Sequence, residues 1–584
     1  MSDLYESLEQ PKRLARNHLY YGDNLTIMRD MPSNIVDLIY LDPPFNSDRT
    51  YNLIYRQLTG LPLPEQEEAF VDTWTMDPEK EEMVRNMPMV LRQYDCDEEL
   101  VKFWDAWIKA LRTTNSRLLA YLVYMTYRMF EMRRILKPTG SIFLHCDSNA
   151  SHYIKIMMDS IFGASNFRNE IIWKRQSAHS DAKSKFPVVS DTILFYVNGK
   201  SGKFSPQYGE HDPQYVDKFY RHDDNDGRGR YRLGDMSAPK GGGMAAINKT
   251  TGKPNGWYIY KGYEPPAQGW RYSPETMARL DAEGRIYFPT HKDGTPDYTK
   301  RLALKRYLEE QEGSIITNIW SDISPLGGMA SQKGEALGYP TQKPIALLRR
   351  IIEATTEEDQ VVFDPFCGCG TSIYAAHLTN RRWIGCDIAI LSIRIVQDVL
   401  EKRYGLVEGR DYTVSGVPVT VEGANDLFSR DPRQFEHWSV ELVGGFATKK
   451  HSGDRGIDGR IYFETINEDG KPELKSMVIS VKGGKLTPAF TRELIGTMDR
   501  DDNAAMAGLI CLQEPTKGML KDVADAGMFN YAGVSYPRLQ IRTVEDLMAG
   551  RMFDTPTRVG SLHKERQGAL PLYGGHREKR SQDA

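Results

Sequence analysis

The chain has 584 residues, with 75 Lys and Arg against 79 Asp and Glu for a net charge of −4, and 40% of its residues are hydrophobic. That length suits two or three domains and that composition a globular protein; both exclude a disordered chain and a polycation that would hold nucleic acid through a global field. Six cysteines without paired CxxC spacings indicate neither a zinc site nor a disulfide framework; with no long apolar segment and no charged-then-apolar amino terminus, a cytoplasmic protein without a membrane partner is expected.

Residues 1–16 read as a polar lead-in, and 18–23 as a strand entering a turn, where Asp23 could be a plain turn acid. The run 35–41 is almost unbroken apolar sequence, as in a strand buried on both faces, and it stops at Asp42-Pro43-Pro44-Phe45, because two prolines cannot extend a ladder. Asp42 is therefore expected at the carboxyl end of a parallel strand, where open α/β sheets bind ligands. An acid, two prolines and an aromatic suit methyl transfer to an exocyclic amino nitrogen. The Asp42 carboxylate and the Pro43 carbonyl can accept the two N–H bonds, and Phe45 can stack on a base swung out of the helix. An N-capping acid with a rigid turn would use the same four residues.

Residues 46–52 are polar and read as a loop over that pocket, and an acidic region follows (Glu65, Glu67, Glu68, then Glu79, Glu81 and Glu82), expected to face away from DNA. Apolar residues recur at helical spacing between Phe103 and Leu136 as core contacts. Residues 141–147 give the next parallel strand. His145 within it is read as a hydrogen-bonded structural histidine, since a methylated ammonium product sheds its proton without a base. Strands at 170–175 and 191–196 follow, with Lys174, Arg175, Lys183 and Lys185 suited to phosphates or to solvent. From 200 to 320 glycine, aromatic and basic residues interleave, among them Arg228, Arg230, Arg232, Trp257, Tyr258, Tyr260, Lys261, Trp270 and Arg271. Such loops could follow a groove and read base edges; an aromatic-cored decoration is the alternative.

Lys343-Pro344 starts a helix with Ile345, Leu348, Ile351 and Ile352 on one side. An apolar strand then ends in Asp364-Pro365-Phe366, and a turn with Gly368 and Gly370 leads into a helix at Thr371. The glycines let backbone approach a ligand closely, and Asp387, about 20 residues on at the end of the next strand, is placed for ribose hydroxyls.

These stretches, with Gly22-Asp23-Asn24, Leu136-Lys137-Pro138-Thr139-Gly140-Ser141 and Tyr339-Pro340-Thr341-Gln342-Lys343-Pro344, cover most of residues 17 to 405. Together they form a pattern that resembles the S-adenosylmethionine-dependent DNA amino-methyltransferases, specifically the adenine-modifying β-class group that includes type III modification subunits, with the catalytic motif ahead of the cofactor motif. The resemblance implies an α/β fold with a Rossmann-like, circularly permuted methyltransferase sheet over 1–405 and a target-recognition insert at 200–330. It implies methyl transfer to N6 of adenine in double-stranded DNA, with Asp42, Pro43, Pro44 and Phe45 catalytic. It also implies that Asp23, Thr341, Lys343, Asp364, Phe366, Gly368, Gly370, Thr371 and Asp387 hold S-adenosylmethionine. Cytosine at its exocyclic nitrogen is the rival acceptor; Asp rather than Ser before the two prolines argues for adenine.

Residues 406–430 read as a connector, with 412–414 as a short strand, and 431–560 carry a second constellation. Glu436 lies in a helical pattern, Gly453-Asp454-Arg455-Gly456-Ile457-Asp458-Gly459 leads into one strand, and Lys482 ends the next. An acid on one strand and a lysine on its neighbour is the layout of metal-dependent phosphodiester cleavage. The pattern resembles the Mrr-like branch of the PD-(D/E)xK nucleases. This implies a smaller α/β restriction-endonuclease-like domain with Asp458 as Mg²⁺ ligand, Lys482 as catalytic lysine and Glu436 assisting. Ser480 stands where that family has Glu or Gln, and a hydroxyl is a poor Mg²⁺ ligand beside a carboxylate. The expectation is a restriction-modification activity with a Mg²⁺-dependent nuclease, or else a solitary methyltransferase whose last domain binds DNA without cutting it. No helicase motif accompanies it, a homodimer or a separate restriction subunit is the further partner left open, and 561–584 read as a polar tail.

Overall fold

The computed structural model describes residues 17–44, 74–147, 150–176, 186–241, 243–326, 335–337, 341–448, 456–466 and 472–556. They fall into two compact units, one of residues 1–205 with 318–584 and one of residues 206–317.

A nine-stranded sheet organises the first unit. In chain order its strands are β1 (Asn17–Tyr21), β2 (Val36–Leu41), β3 (Leu136–Cys146), β4 (Phe167–Lys174), β5 (Ser190–Val197), β6 (Ile319–Trp320), β7 (Val361–Asp364), β8 (Arg382–Asp387) and β9 (Tyr412–Ser415). Across the sheet they run β6-β4-β5-β3-β2-β7-β8-β1-β9. The six from β3 to β9 are parallel, and β5 is antiparallel to both β3 and β4. Every residue of β2 is buried, as a parallel strand covered by helices on both faces requires. One is the charged Asp37, whose carboxylate is met by Lys137 Nζ at 2.8 Å and by the Val361 N–H at 3.0 Å. The helix Ser116–Ile135 is buried along most of its length, and its apolar side chains fill the layer against β2 and β3.

The stretch read as a connector is ordered structure. Tyr412-Thr413-Val414, with its β-branched and aromatic residues, adds an edge strand to β1, so the sheet ends at Ser415 and not at residue 405. Val421–Arg430 is a helix whose Phe428 lies so close to Gly483 that a Cβ there would sit 2.4 Å from the ring; no larger residue fits. Phe428 also meets Phe435 at 5.4 Å between ring centroids, so this helix belongs with the carboxyl-terminal layer.

That layer is a five-stranded sheet ordered Phe446–Ala447, Gly459–Ile466, Pro472–Lys482, Ala504–Cys511, Leu539–Thr543; the first three strands are antiparallel and the last three parallel. Val478, Leu494, Met498, Leu509 and Leu539 form its core. The second unit, somewhat shorter than the insert read from the sequence, holds a three-stranded antiparallel sheet and the helix Pro274–Ala282 around Met236, Tyr263, Trp270 and Met277. Among the described residues no helix is long and apolar enough to cross a membrane.

Candidate active site

Four neighbouring parallel strands deliver an acid at or just past their carboxyl ends: Asp42 after β2, Asp364 on β7, Asp387 on β8 and Asp23 after β1. Leu38 pairs with Val362 and Ile39 with Phe363, so the strand of the Asp-Pro-Pro motif and that of the glycine turn are hydrogen-bonded neighbours although far apart in sequence.

Asp364 caps its own turn. One oxygen accepts the Phe366 N–H at 2.9 Å and the other the Ser372 hydroxyl at 2.5 Å. Burial pushes its carboxyl up to about 7, with those two hydrogen bonds opposing and the charges of Asp42 and Asp387 adding to the rise. Asp387 accepts the Gly368 N–H at 2.8 Å and the Ala389 N–H at 2.9 Å, and burial raises its pKa as well. Gly370 sits at φ +87° just ahead of the helix Thr371–Leu378, where a Cβ would meet Val396 and Tyr374 within 3 Å, so only glycine closes this turn. The charges of Asp42 and Asp387 thus meet the buried carboxyl of Asp364 in one place. Such a set suits a ligand that carries positive charge and hydroxyls.

Lys343 sits on Asp42: its ammonium contacts Oδ2 and also donates to the Thr341 carbonyl at 3.3 Å. The other oxygen, Asp42 Oδ1, is buried without a hydrogen-bond partner among the described residues. The resemblance assigns Lys343 to the cofactor, whereas here it meets Asp42, the acid to which the resemblance gives the catalytic role. Beside β2 the fully buried His145 bridges the Tyr40 hydroxyl at 3.0 Å and Asp191 at 3.1 Å, and Arg175 pairs with the far oxygen of Asp191 at 3.1 Å.

Asp23 is occupied by the protein. Oδ1 accepts the N–H groups of Leu25 and Thr26 as the cap of the helix Asn24–Asp30, and Oδ2 pairs with the buried Arg128. Arg128 also donates to Asn24 Oδ1 at 2.7 Å, and Asn24 Nδ2 in turn donates to the Pro365 carbonyl at 2.7 Å, which ties the β1 turn to the glycine turn. Sequence reasoning missed Arg128, Asn24 and Ser372. The available signal was an arginine set among the largely apolar residues 118–130 of the helix Ser116–Ile135. Phe45, Tyr339, Pro340, Lys183 and Lys185 lie outside the described residues.

In the carboxyl-terminal layer Asp458 and Lys482 do meet, at 3.6 Å. The same Asp458 oxygen accepts the Val481 N–H at 2.7 Å and the Ser480 hydroxyl at 3.2 Å. Glu436 lies on the helix Pro432–Leu442, which packs on both strands. Among the described residues no three His, Cys, Asp or Glu side chains cluster as a metal site. Among the described residues the donor set does not fit Mg²⁺: where a second carboxylate would share the ion, Ser480 donates to the first.

In the second unit several residues read as base-reading are used internally. Trp270 is fully buried in the core, Arg228 is paired with Asp226, Arg230 with Asp217 and Lys261 with Asp281, while Arg271 is exposed.

Residues 36–398 match the DNA methylase family of the N6/N4 type. The chain is 30% identical over 277 residues to the type II methyltransferase M.EcaI of Enterobacter cloacae, covering 47% of this chain and 56% of that protein. It is 27% identical over 395 residues to the Mod subunit of the type III restriction-modification enzyme StyLTI of Salmonella typhimurium, covering 64% and 52%. With the Mod subunit of EcoP15I from Escherichia coli the figures are 22% over 419 residues, 65% and 58%. The chain therefore spans little more than half the length of these relatives. Among solved structures, a candidate DNA modification methylase of Thermus thermophilus, complexed with S-adenosyl-L-methionine, is 14% identical and covers 68% of this chain and 97% of that one, with a TM-score of 0.29.

Proposed function

Because the chain belongs to the N6/N4 DNA methylase family and is related to restriction-modification enzymes, we propose that it methylates the N6 amino group of adenine at a specific site in double-stranded DNA, with S-adenosylmethionine as methyl donor. The observation that carries this reading is Asp42 Oδ1, a buried carboxylate oxygen without a partner among the described residues, at the end of β2 beside the acids that suit the donor. When bound, S-adenosylmethionine supplies a methyl group activated on a sulfonium cation. Asp364, Phe366, Gly368, Gly370, Thr371, Asp387 and Thr341 are the residues assigned to hold it, and the crowding of Asp42, Asp364 and Asp387 favours a cationic ligand. Asp42 Oδ1 and the Pro43 carbonyl accept the amino N–H bonds of the extruded base and turn the nitrogen lone pair out of its ring; Pro44 stiffens the turn and Phe45 stacks on the base. Asp ahead of the two prolines favours adenine over cytosine.

For the carboxyl-terminal layer, the Ser480 to Asp458 hydrogen bond favours a DNA-binding role without Mg²⁺-dependent cutting, and so a modification enzyme. Two of the relatives are Mod subunits, which makes a separate restriction subunit the partner to test.

The test is to incubate the protein with unmodified DNA and S-adenosylmethionine without Mg²⁺ and to map modified bases by sequencing. Methyladenine at one recurring sequence, absent with Asp42→Ala, is the expected result. Methylcytosine overturns the base assignment, and absence of methylation despite cofactor binding overturns the reading.

A further inference from the structure

The helix Pro432–Leu442 opens the carboxyl-terminal layer, yet two of its side chains reach the glycine-turn half of the methylase sheet. Glu441 Oε2 accepts the N–H of Ile390 at 3.1 Å, and Gln434 Nε2 donates to the Ile388 carbonyl at 3.3 Å. Between those two contacts lies Ala389, whose N–H is held by Asp387. Segment 387–390 is therefore gripped from one side by the acid assigned to the ribose and from the other by a helix of the next layer. Gln434 and Glu441 are seven positions apart, two helical turns, and so share one face; Glu436 lies about 200° round from Gln434.

The helix that starts here, Ile390–Tyr404, has Ala389 at its N-cap and no capping side chain of its own. Glu441 supplies the missing acceptor, and its carboxylate lies where the amino end of a helix favours negative charge. Burial pushes Glu441 up to about 7, with the Ile390 N–H and Arg394 opposing and the charge of Asp387 adding to the rise.

We propose that Glu441 and Gln434 are positioning residues of the methyl-donor site, holding segment 387–390 in the shape in which Asp387 takes the donor's ribose, and that the carboxyl-terminal layer is a built part of that site. This rests on the reading that the site takes S-adenosylmethionine.

Calorimetric titration of the full chain with S-adenosylmethionine, together with steady-state methylation, tests it. Glu441→Ala is expected to weaken binding about fivefold to tenfold, the worth of one ordinary hydrogen bond, and to raise KM for the donor while kcat at saturation is kept. Glu441→Gln, whose amide oxygen still accepts the Ile390 N–H, is expected to stay within about twofold of the parent, and Arg433→Ala, exposed on the same helix, to bind as the parent does. Unchanged binding by Glu441→Ala overturns the proposal while leaving the donor assignment intact; a parent chain that does not bind the donor overturns both. Equal loss in Glu441→Ala and Glu441→Gln, with kcat lost too, marks a merely structural helix and overturns it. Should Glu441→Ala fail to fold, Gln434→Ala carries the test: about threefold weaker binding supports the proposal and unchanged binding overturns it.

Discussion

Lys343 rests its ammonium on one oxygen of Asp42 and leaves the other, Oδ1, without a partner among the described residues. On the proposed reading the acceptor for the base and a cation are thus built together, and the lysine aims the carboxylate. Replacing Lys343 with Met is expected to lower single-turnover methylation about 10- to 100-fold while donor affinity changes by less than about threefold. A loss confined to donor affinity would return Lys343 to the cofactor set.

Asp23 should prove a folding residue before a ligand-binding one. Both its oxygens are spent on the cap of Asn24–Asp30 and on Arg128, whose side chain is 5% exposed. Asp23→Ala strands that guanidinium and is expected to cost about 3 kcal/mol in urea unfolding. Asp23→Asn still accepts the capping N–H bonds but turns its amide NH2 toward Arg128, so it should recover only the cap, about 1 kcal/mol of that loss, and leave donor affinity within about threefold.

Asp364 predisposes the site to a pH-dependent stability. Its carboxyl is raised from 3.8 to about 7. A group raised in the folded state favours folding fully below its unfolded value and loses that contribution as pH rises through the folded value. Between pH 5 and 8 the unliganded protein is therefore expected to lose melting temperature relative to Asp364→Asn, whatever the absolute difference between the two. Parallel profiles would show that Asp364 stays ionised throughout.

With Ser480 bonded to Asp458, supercoiled plasmid incubated with the protein and Mg²⁺ is expected to remain intact, while gel shift reports binding that weakens in Lys482→Ala. Nicking that requires Mg²⁺ and disappears in Lys482→Ala would establish the nuclease instead.

The strands were legible where sequence pattern and burial coincide. Residues 35–41 and 361–364 are nearly continuous apolar runs ended by an acid, and both are parallel strands with their acids at the carboxyl end. Asp458 and Lys482 were likewise legible as neighbours on adjacent strands. What could not be read were partners set by tertiary contact: Arg128 for Asp23, Lys343 for Asp42, Glu441 for the Ile390 N–H. Each joins residues from distant segments, and no local period announces such a pair. In the 406–430 stretch the strand at 412–414 was legible, whereas the short helix Val421–Arg430 was not, because what holds it is its packing on Phe435 and Gly483.

The neighbouring of β2 and β7 has a consequence for synthesis. The Val361 N–H that meets Asp37 lies 324 positions further along, so at about 5–20 residues per second the ribosome reaches it some tens of seconds after β2 has emerged. Throughout that interval one edge of a strand destined for full burial stands open. The first half of the nascent chain is therefore where chaperone demand and misassembly should concentrate, and truncations that stop short of residue 361 are expected to aggregate where the full chain does not.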